Sequence, residues 1–516
     1  MQPSSTRCET ALRDITHIAQ IPAYWARHTP QATAVFENDQ PTCYAELARY
    51  IDNAGALLHE HGVQAGDRVL IVSENCVAQI ALIFGAAALN AWPLAINARM
   101  APREIDDIAE LVSPRVCCYT SSVSPEADGH AARRGASVVA PGVLPGTVKI
   151  SRHSDARAPE PADLAGRVGV LIATSGSTGS PKAVLVPHRG LLHFCRVSVQ
   201  ARALQPDDVV YAVLPISHIF GIGTQLLVTL YGGASLYLEP RFTPEALLAA
   251  MQRRGISMLF GVPTLYARLL AHLRESGHPL PPHRVRYAYV GAAALEMSLK
   301  HEFERLFGCR LHHGYGMTEY AGSMFITRVD RPRDDASAGY ATEGCEVRLV
   351  DKEGRDVPPG EVGEIWIRGP GLMLGYYRAP DLTEQAMKHA GYFNTGDLGR
   401  LTHDGALFMV GRSKDMIIRS GFNVYPAEVE AALNTHPAIH LSAVLGRRQA
   451  DGNEEVVAFV ELEPGARLDR IALREWLRER LAPYKLPADV KVLAAVPLLS
   501  NGKLAKQVLR EQLEAQ

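Results

Sequence analysis

The chain has 516 residues, which is too long for one ordinary domain and corresponds to about three units of roughly 150 residues each. Its 53 Lys and Arg residues nearly balance its 55 Asp and Glu residues, leaving a formal net charge of −2. This balance argues against a nucleic-acid-binding or membrane-surface protein, so any bound anion must be met by a few local groups. A hydrophobic content of 47% and a charged content of 21% exclude a disordered or collagen-like chain.

The eight cysteines are scattered and include no C-x-x-C pair, which indicates reduced thiols and neither a zinc site nor a disulfide framework. Residues 1–10 lack the apolar core of a signal peptide. The longest apolar stretch, residues 80–89, is well short of the ~20 residues that span a bilayer. We therefore expect a cytoplasmic protein without integral membrane contact, either a monomer or a homodimer.

The first three hundred or so residues alternate between helical and strand patterns. Apolar residues at helical spacing predict a helix over 44–62, and a short buried strand follows over 67–72. Further strands are predicted over 168–173, 209–214, 257–260 and 286–290, and further helices over 244–253 and 264–276. This alternation is typical of α/β layers with largely parallel sheets, whereas residues 121–158 are predicted to be surface loop.

Beyond residue 340 the pattern changes to short strands separated by Gly, Pro and Asp turns, which predicts a β-rich subdomain with strands over 346–350, 364–367 and 407–410. A compact α+β unit follows, predicted as helices and strands over 426–433, 441–445, 456–462, 468–481 and 490–494. We predict a large N-terminal domain over residues 1–413, built of layered α/β subdomains and the β-rich subdomain. A small mobile C-terminal domain is predicted over 414–516.

The strongest local motif is the run Thr-Ser-Gly-Ser-Thr-Gly-Ser-Pro-Lys from Thr174 to Lys182, which lies between two apolar strand patterns. Glycines allow a backbone to close around an anion, hydroxyls and amides donate to phosphate oxygens, and lysine supplies a countercharge. The run is not a Walker loop, because its lysine follows a proline and no helix begins there. Taken alone, it fits a phosphate-binding loop and a flexible surface loop equally well.

This loop resembles the phosphate loop of the adenylate-forming superfamily, which includes acyl-CoA synthetases, luciferases and the adenylation domains of peptide synthetases. Six more segments resemble that family's motifs in the same order along the chain. They are PISHIFG (215–221), GAAAL (291–295), HGYGMTE (313–319), GYFNTGD (391–397), GRSKD (411–415) and NGK (501–503). Ala183, Ala294 and Tyr392 depart mildly from the family pattern and leave the polar groups of these motifs intact.

The resemblance implies activation of a carboxylic acid by ATP. A carboxylate is a poor electrophile, and its attack on the α-phosphate of ATP gives an acyl-AMP and pyrophosphate. Transfer of the acyl group to coenzyme A then releases AMP. Because negative charge spreads over phosphate oxygens in the transition state, catalysis is mainly positioning and electrostatic stabilisation. ATP, Mg²⁺ and coenzyme A are the cofactors that the resemblance implies.

The resemblance also assigns roles around the nucleotide. Glu319 would hold Mg²⁺, the Thr318 hydroxyl would donate to the α-phosphate, and Tyr315 would pack against adenine. Asp397, joined by Arg412, would accept hydrogen bonds from the ribose hydroxyls. The implied nucleotide-binding set is Thr174, Ser175, Gly176, Ser177, Thr178, Gly179, Lys182, Ala292, Ala293, Gly314, Tyr315, Gly316, Met317, Thr318, Asp397, Arg412 and Lys503.

Lys503 is expected to be the main catalyst of adenylation, because its ammonium can lie between the acid carboxylate and the α-phosphate. It is far in sequence from the phosphate loop, so the final domain must swing in to deliver it. Lys414 occupies the family's hinge position, and Ser420 and Gly421 would line the CoA tunnel after the swing. With Thr318 and His218, Lys503 completes the expected catalytic set, His218 acting as a gate and not as a general base.

The acid is expected to bind against small or apolar residues, namely His218, Phe220, Gly221, Thr224, Gly291, Gly314 and Met317. The three pocket segments considered, 221–224, 291–294 and 320–324, contain no Lys or Arg, which disfavours a second carboxylate on the substrate. The prediction is therefore a small aromatic, arylalkenyl or medium-chain monocarboxylic acid.

Other functions remain open at this point. A peptide-synthetase adenylation domain normally carries an aspartate near position 219, and none is present here. The leading hypothesis is a free-standing acyl-CoA ligase. The alternatives are a ligase that loads a carrier protein and a catalytically silent homologue that only binds nucleotide or acyl ligand. Luciferase-type oxidation is disfavoured, although the motifs do not exclude it.

Overall fold

The computed structural model describes residues 12, 14–175, 181–277, 279–419, 422–449, 453–498 and 504–514. Its α-helices are α1 (Gln20–His28), α2 (Tyr44–Glu60), α3 (Val77–Ala88), α4 (Pro102–Val112), α5 (Pro125–Arg133), α6 (Ala162–Ala165), α7 (His188–Arg202), α8 (Val228–Tyr231), α9 (Pro244–Arg254), α10 (Pro263–Ser276), α11 (Met297–Phe307), α12 (Pro380–Ala386), α13 (Pro426–Asn434), α14 (Arg470–Arg478) and α15 (Lys506–Glu514). A π-helix, Phe220–Leu227, runs directly into α8. Short 3₁₀ turns lie at Thr318–Tyr320, His389–Gly391, Ser413–Asp415 and Pro483–Lys485.

The strands are β1 (Thr33–Glu37), β2 (Gln40–Cys43), β3 (Arg68–Ser73), β4 (Trp92–Asn97), β5 (Val116–Thr120), β6 (Ser137–Val138), β7 (Val148–Arg152), β8 (Val168–Ser175), β9 (Pro181–Pro187), β10 (Val209–Ala212), β11 (Ser235–Leu238), β12 (Met258–Gly261), β13 (Tyr287–Val290), β14 (Leu311–Met317), β15 (Gly322–Ile326), β16 (Tyr340–Ala341), β17 (Glu346–Val350), β18 (Val362–Arg368), β19 (Gly375–Tyr376), β20 (Phe393–Leu401), β21 (Leu407–Arg412), β22 (Ile417–Arg419), β23 (Phe422–Val424), β24 (Ile439–Arg448), β25 (Glu454–Leu462) and β26 (Asp489–Leu493).

Two large sheets form the N-terminal body. In the part of the chain that the structure describes, one has nine strands in the order β16-β15-β14-β13-β12-β10-β11-β1-β2 and the other five in the order β4-β3-β5-β7-β6. The run from β14 to β1 is parallel, as are β4, β3 and β5. Parallel strands need helical crossovers, so their sheets are buried between layers. The α/β fold class expected from the sequence is confirmed.

The β-rich part consists of two smaller sheets. Strands β17, β18, β20 and β21 form an antiparallel sheet, and β19 joins the hairpin of β8 and β9. Residues 174–182 therefore connect two strands, as predicted, and do not lead into a helix. This arrangement places the β8–β9 hairpin, which carries the loop, in direct contact with the short strand β19.

The final unit is an α+β layer in which β24, β25 and β26 pack against helices. Its apolar core includes Val429, Val456 and Leu473 on one side and Phe459 and Leu509 on the other. Helix α15 was not predicted from the sequence, although it supplies two of the seven buried residues of the second cluster, Leu509 and Leu513. The small C-terminal domain of the expected fold class is present.

The prediction of surface loop for residues 121–158 was wrong. This stretch contains α5, β6 and β7, and β7 pairs antiparallel with β5 along its whole length. Helix α5 buries Ala127 and Ala131, and alanines give too weak a hydrophobic period to reveal a helix in the sequence. The segment completes the edge of the five-stranded sheet.

The longest apolar stretch of the sequence lies within α3, where eleven consecutive residues, Val77 to Ala87, are buried. None of the described helices combines enough length and hydrophobicity to cross a bilayer. Helix α3 is a core helix that packs between α2 and the five-stranded sheet.

Arg68, at the start of β3, is a fully buried arginine whose donors are all used. Its guanidinium donates to the carbonyl oxygens of Gly66, Val112, Ser113, Arg157 and Ala158 at 3.0 to 3.2 Å. These acceptors come from the β3 entry, the end of α4 and the segment before α6. A buried cation of this kind is tolerated because every donor finds an oxygen, and it ties three segments together.

Candidate active site

The candidate phosphate loop is held at its two ends by the β8–β9 ladder. Thr174 lies opposite Lys182, and Ser175 lies opposite Pro181. The middle of the predicted loop, Gly176, Ser177, Thr178 and Gly179, lies outside the described residues. Antiparallel pairing brings Lys182, at the end of the motif, beside Thr174, at its start. The two ends of the predicted loop therefore lie next to each other.

Lys182 belongs to a small cluster that the sequence did not reveal. Its ammonium lies 5.2 Å from the centre of the Tyr376 ring, and the Tyr376 hydroxyl donates a 2.9 Å hydrogen bond to Glu319 Oε1. Strand β19 makes this possible because it sets Tyr376 opposite Val184 on β9. The only sequence signal for Tyr376 is the run Gly-Tyr-Tyr ahead of Pro380. The structure thus links the predicted loop lysine to the predicted metal ligand.

Glu319 lies in the 3₁₀ turn that follows β14, next to the buried Thr318. Burial raises the pKa of the Glu319 carboxyl, and the Tyr376 hydrogen bond and the Lys182 charge oppose this rise. The negative charge of Asp397 adds to the rise, which shows that the two carboxylates share one local field. The described residues contain no group of three or more His, Cys, Asp and Glu side chains arranged to hold a metal.

A single carboxylate with an oxygen donor set suits magnesium better than a transition metal. Mg²⁺ is usually bound through one or two carboxylates while substrate phosphates and water complete its octahedron. Zinc would need three or four nitrogen or sulfur ligands from the protein. Glu319 therefore fits a magnesium ion whose remaining ligands come with a polyphosphate.

Asp397 receives two polar side chains from two other strands. Strands β20 and β21 pair so that Asp397 lies directly opposite Arg412, whose Nε is 3.3 Å from Oδ1. From β14, the Tyr315 hydroxyl donates a 2.6 Å hydrogen bond to Oδ2. Burial raises the pKa of Tyr315 well above its usual value, and the Asp397 charge adds to this effect. The structure brings these three predicted residues together, and the tyrosine keeps its proton.

Two positions of β14 must be glycine, because atoms of neighbouring strands lie too close for a side chain. A Cβ at Gly314 would lie 2.1 Å from the Tyr289 hydroxyl, and one at Gly316 would lie 2.4 Å from the Gly322 carbonyl oxygen on β15. Neither distance is compatible with a side chain. The motif glycines thus allow β13 and β15 to pack closely around Tyr315 and the partly buried Met317.

The segment after β13 is fixed by a histidine that was not among the predicted site residues. Ala292 has a left-handed φ of 69°, and the Ala293 carbonyl oxygen lies 3.3 Å from His313 Nε2. His313 Nδ1 is 3.1 Å from the Ala336 carbonyl oxygen, so the ring bridges two loops. Burial lowers the pKa of His313. The histidine holds the predicted adenine wall in place.

The predicted acyl residues cluster on and around the π-helix. Its first turn places Phe220 5.9 Å from Tyr289, ring centre to ring centre in an edge-to-face arrangement, and Gly291 lies against both rings. Gly221 is also required by packing, because a Cβ there would lie 2.0 Å from the Pro215 carbonyl oxygen. Thr224 is 2% exposed. Phe220 and Gly291, two of the residues predicted to bind the acid, are thus brought together against the Tyr289 ring.

The His218 ring is oriented by a backbone amide two residues further along the chain. Its Nδ1 accepts a 3.2 Å hydrogen bond from the Phe220 amide, which leaves the ring proton on the other nitrogen in the neutral form. Gln225 anchors the same π-helix, accepting from the Leu214 amide at 3.0 Å and donating to the Tyr211 carbonyl oxygen at 3.1 Å. This geometry suits a positioned gate better than a proton shuttle.

The predicted hinge, Lys414, lies in a 3₁₀ turn directly after β21. Burial lowers the pKa of Lys414, and the nearby cations of Arg412, Arg510 and Lys182 act in the same direction. Arg510, from α15, reaches Asp415 with a 3.3 Å hydrogen bond. The turn therefore lies near Arg412 of β21, Lys182 of β9 and Arg510 of α15, the last helix that the structure describes.

The other residues predicted for the second domain are not described. Ser420 and Gly421, predicted for the CoA tunnel, and Lys503, predicted as the main catalyst, lie outside the described residues. The described part of that domain approaches the body elsewhere, where the Asn434 side chain at the end of α13 is near enough to the Glu296 carboxyl to act on its pKa. Burial raises the pKa of that carboxyl.

Comparison with known proteins agrees with this geometry. The model of the AMP-binding enzyme family matches residues 23–377, and that of the AMP-binding enzyme C-terminal domain matches residues 428–503. A feruloyl-CoA synthase from Amycolatopsis sp is 34% identical over 95% of this chain and 98% of its own length. An indoleacetate–CoA ligase from Aromatoleum aromaticum is 31% identical over 93% of this chain and 95% of its own length.

The solved structure of ATP-bound MatB from Rhodopseudomonas palustris has a TM-score of 0.82 at 29% identity, and the match covers 96% of this chain and 98% of that one. The relatives are CoA ligases, and both family models fall in the order in which the two kinds of domain occur here. This chain therefore belongs to the adenylate-forming family of AMP-binding enzymes and is an ATP-dependent acid–thiol ligase that uses coenzyme A.

Proposed function

We propose that this ligase works in two half-reactions at one site. In the first, a carboxylate oxygen of the acid attacks the α-phosphorus of ATP, the bond from that phosphorus to the bridging oxygen breaks, and pyrophosphate leaves. In the second, the thiol of CoA attacks the acyl carbon, the thiol proton passes to solvent, and AMP leaves. The observation that carries the proposal is the convergence of Tyr315 and Arg412 on Asp397, beside Glu319 and Lys182.

In this mechanism Asp397 binds the ribose. A carboxylate accepts two hydrogen bonds from a cis-diol, one on each oxygen, and Tyr315 and Arg412 hold it in place. Arg412 is half exposed, so its side chain can turn toward the ribose while Tyr315 keeps the carboxylate aligned. The adenine would lie against Tyr315, with Ala292, Ala293, Gly314 and Gly316 as the neighbouring backbone.

The polyphosphate would be met by Lys182, the loop from Thr174 to Gly179 and Thr318. Bound magnesium supplies Lewis-acid stabilisation of the phosphate oxygens, and Glu319 is the residue that would hold it. Tyr376 fixes one oxygen of that carboxylate. Lys503, Lys182 and Thr318 would then stabilise the charge that develops as the acyl-adenylate forms.

The second half-reaction needs a different arrangement of the small domain. We propose that residues 414–516 rotate about Lys414, withdrawing Lys503 and bringing Ser420 and Gly421 to the CoA tunnel. The position of Lys414 between β21 and the final unit supports this, because rotation there leaves Arg412 and the ribose site undisturbed. His218 and Phe220 would gate the passage between the acyl pocket and the tunnel.

The reaction class is tested by carboxylate-dependent release of pyrophosphate with Mg-ATP over an acid panel, followed by addition of CoA. We expect both pyrophosphate and an acyl-CoA for at least one acid. Pyrophosphate release without acylation of CoA would support a carrier protein as acceptor. No pyrophosphate with any acid, despite ATP binding measured by calorimetry, would identify a silent binding homologue.

Separate variants should divide the two half-reactions. Lys503→Ala should slow acyl-adenylate formation by about 10²- to 10³-fold, as expected for loss of one preorganised electrostatic group, while a supplied acyl-adenylate still reacts with CoA. Gly421→Leu should do the opposite, sparing pyrophosphate release and blocking thioester formation. Equal losses in both half-reactions for either variant would contradict domain alternation.

Asp397→Asn should weaken use of ATP more than use of 2′-deoxy-ATP. Hydrogen bonds to a charged group contribute about 1.5–3 kcal/mol, so kcat/KM for ATP should fall about 10- to 100-fold. The wild-type enzyme should prefer ATP over 2′-deoxy-ATP, and the variant should lose most of this preference. An unchanged preference would show that Asp397 does not contact the ribose.

Tyr376→Phe should weaken the magnesium dependence of ATP binding. The variant removes only the hydroxyl that holds Glu319, and loss of such a supporting hydrogen bond typically lowers metal affinity by about 10- to 100-fold. Thermal stabilisation by ATP, titrated with Mg²⁺, measures the effect. The control is Tyr340→Phe, which removes a hydroxyl bound to Asp404 outside this cluster; equal effects in both variants would refute the role of Tyr376.

A further inference from the structure

Arg202, the last residue of α7, is a charged side chain buried among aromatic rings. Its exposed fraction is 0%. The central guanidinium carbon lies 5.1 Å from the centre of the Phe260 ring, 5.2 Å from that of Tyr289 and 5.7 Å from that of Phe194. Three ring faces stabilise the positive charge through their quadrupoles, but they accept no conventional hydrogen bonds from its N–H groups.

None of the three guanidinium nitrogens of Arg202 has a hydrogen-bond partner among the described residues. They carry five N–H donors in a planar fork. The contrast with Arg68 is direct, since both side chains are 0% exposed and Arg68 donates to five carbonyl oxygens. Arg68 is a structural arginine, whereas Arg202 presents a buried set of donors without acceptors.

The neighbours of Arg202 supply no countercharge. The Tyr287 hydroxyl lies beside the guanidinium, and both the charge of Arg202 and its side-chain contact with the hydroxyl oppose the rise in the pKa of Tyr287 that burial causes. The angles of this contact are outside the limits of a conventional hydrogen bond, so neither group has a partner of good geometry among the described residues. His312 stacks on Tyr287 with ring centres 4.7 Å apart. Burial, with the Lys300 and Arg202 charges, lowers the pKa of His312 to about 4, so this ring is neutral near pH 7.

A single aromatic ring, that of Tyr289, connects Arg202 to the predicted acyl site. Tyr289 lies over the guanidinium and also contacts Phe220 and Gly291, both of which belong to the predicted acyl residues. The Tyr289 hydroxyl is 3.2 Å from Ser323 Oγ, on the strand that borders the same pocket. The Tyr289 ring thus lies between the guanidinium and the predicted acyl residues, and its displacement would open the guanidinium to the far end of the acyl pocket.

We propose that Arg202 binds a second carboxylate at the distal end of the substrate, so that the acid activated by this ligase is a dicarboxylic acid. The planar fork of an arginine matches a carboxylate in bidentate geometry, and the aromatic cage excludes the water that would weaken the pair. An acid with an apolar end would leave all five N–H groups without acceptors, which costs free energy in a buried site. The proposal rests on the proposed function, since it concerns the same acyl pocket.

This conclusion departs from the monocarboxylic acid predicted from the sequence. That prediction considered segments 221–224, 291–294 and 320–324, and none of them contains a cation. Arg202 lies in a helix that precedes all three in the sequence, so only the contacts of its side chain with Phe260 on β12 and Tyr289 on β13 reveal it. The aromatic walls expected for the pocket are retained by Phe220 and Tyr289.

The test compares α,ω-dicarboxylic acids with monocarboxylic acids of the same chain length, in both aliphatic and aromatic series. We expect the wild-type enzyme to prefer the best dicarboxylate over its matched monocarboxylate by at least about 10²-fold in kcat/KM, because a site built for a polar group rejects the analogue that lacks it. Arg202→Met should abolish this preference, mainly through loss of dicarboxylate use, and Arg202→Lys should retain part of it.

Folding is followed separately. Arg202→Met should keep or raise the melting temperature, since it removes an unpaired buried charge, whereas Arg68→Met should lower it by stranding five carbonyl oxygens. A large loss of stability in Arg202→Met, together with a dicarboxylate preference that survives in the same variant, would show a structural arginine and overturn the proposal.

Activity with monocarboxylates alone would overturn the dicarboxylate proposal and leave the ligase function standing. If no acid of either series releases pyrophosphate, the proposed function fails. In that case, thermal stabilisation by the dicarboxylates themselves, compared between wild type and Arg202→Met, still decides whether Arg202 binds a carboxylate. Equal stabilisation of the two proteins would refute it.

Discussion

The antiparallel pairing of β20 with β21 is the constraint on which the candidate site depends. It fixes Asp397 opposite Arg412, and directly opposed residues of an antiparallel pair point to the same face with their Cβ atoms about 5 Å apart. Slipping β21 by one residue against β20 would turn Arg412 to the other face, away from Asp397. Strand β21 is followed by the 3₁₀ turn of Lys414, so the same ladder positions the carboxylate proposed to bind the ribose and the proposed hinge.

The chain carries a formal net charge of only −2, which makes the placement of these few charged groups important. Without a broad positive field, a triply phosphorylated ligand can be held only by placed groups, and these are few. Lys182 is near Tyr376 and Glu319, and Arg412 is paired with Asp397, so both of these described cations already have an anionic or aromatic neighbour. Such pairing keeps the net charge of the empty site near zero and limits non-specific attraction of other anions.

The sequence predicted the regular parts of the fold well because they depend on local periodicity. The helix expected over 44–62 is present as α2, Tyr44–Glu60, and the helix expected over 264–276 is α10. Prediction failed for 121–158, where alanine-rich α5 and a short edge strand give little hydrophobic contrast. The last described helix, α15, is short and mostly polar, and it is stabilised by packing Leu509 and Leu513 against the sheet of β24 and β25.

The candidate site, too, was predictable only where its residues lie in local sequence patterns. Motif residues such as Tyr315, Asp397 and Arg412 could be chosen from the sequence because each lies in a recognisable local pattern, and their mutual contacts follow from strand order. Tyr376 could not be chosen with confidence, since its partner Glu319 is 57 residues away. Arg202 could not be identified from the sequence, because the argument for it depends on guanidinium donors that are unpaired in the folded structure. No neighbouring residue in the chain marks it.

The π-helix at Phe220–Leu227 has a consequence for how this pocket can change. A π turn accommodates one residue more than an α turn, and successive residues of an α-helix are rotated by about 100° around its axis. Deletion of one residue in this segment would relax it to an α-helix and present different side chains to the pocket, while the Gln225 anchor and α8 could keep their places. Short insertions and deletions here would thus exchange the acyl-facing set in one step, a route to new acid preferences that stepwise substitution does not offer.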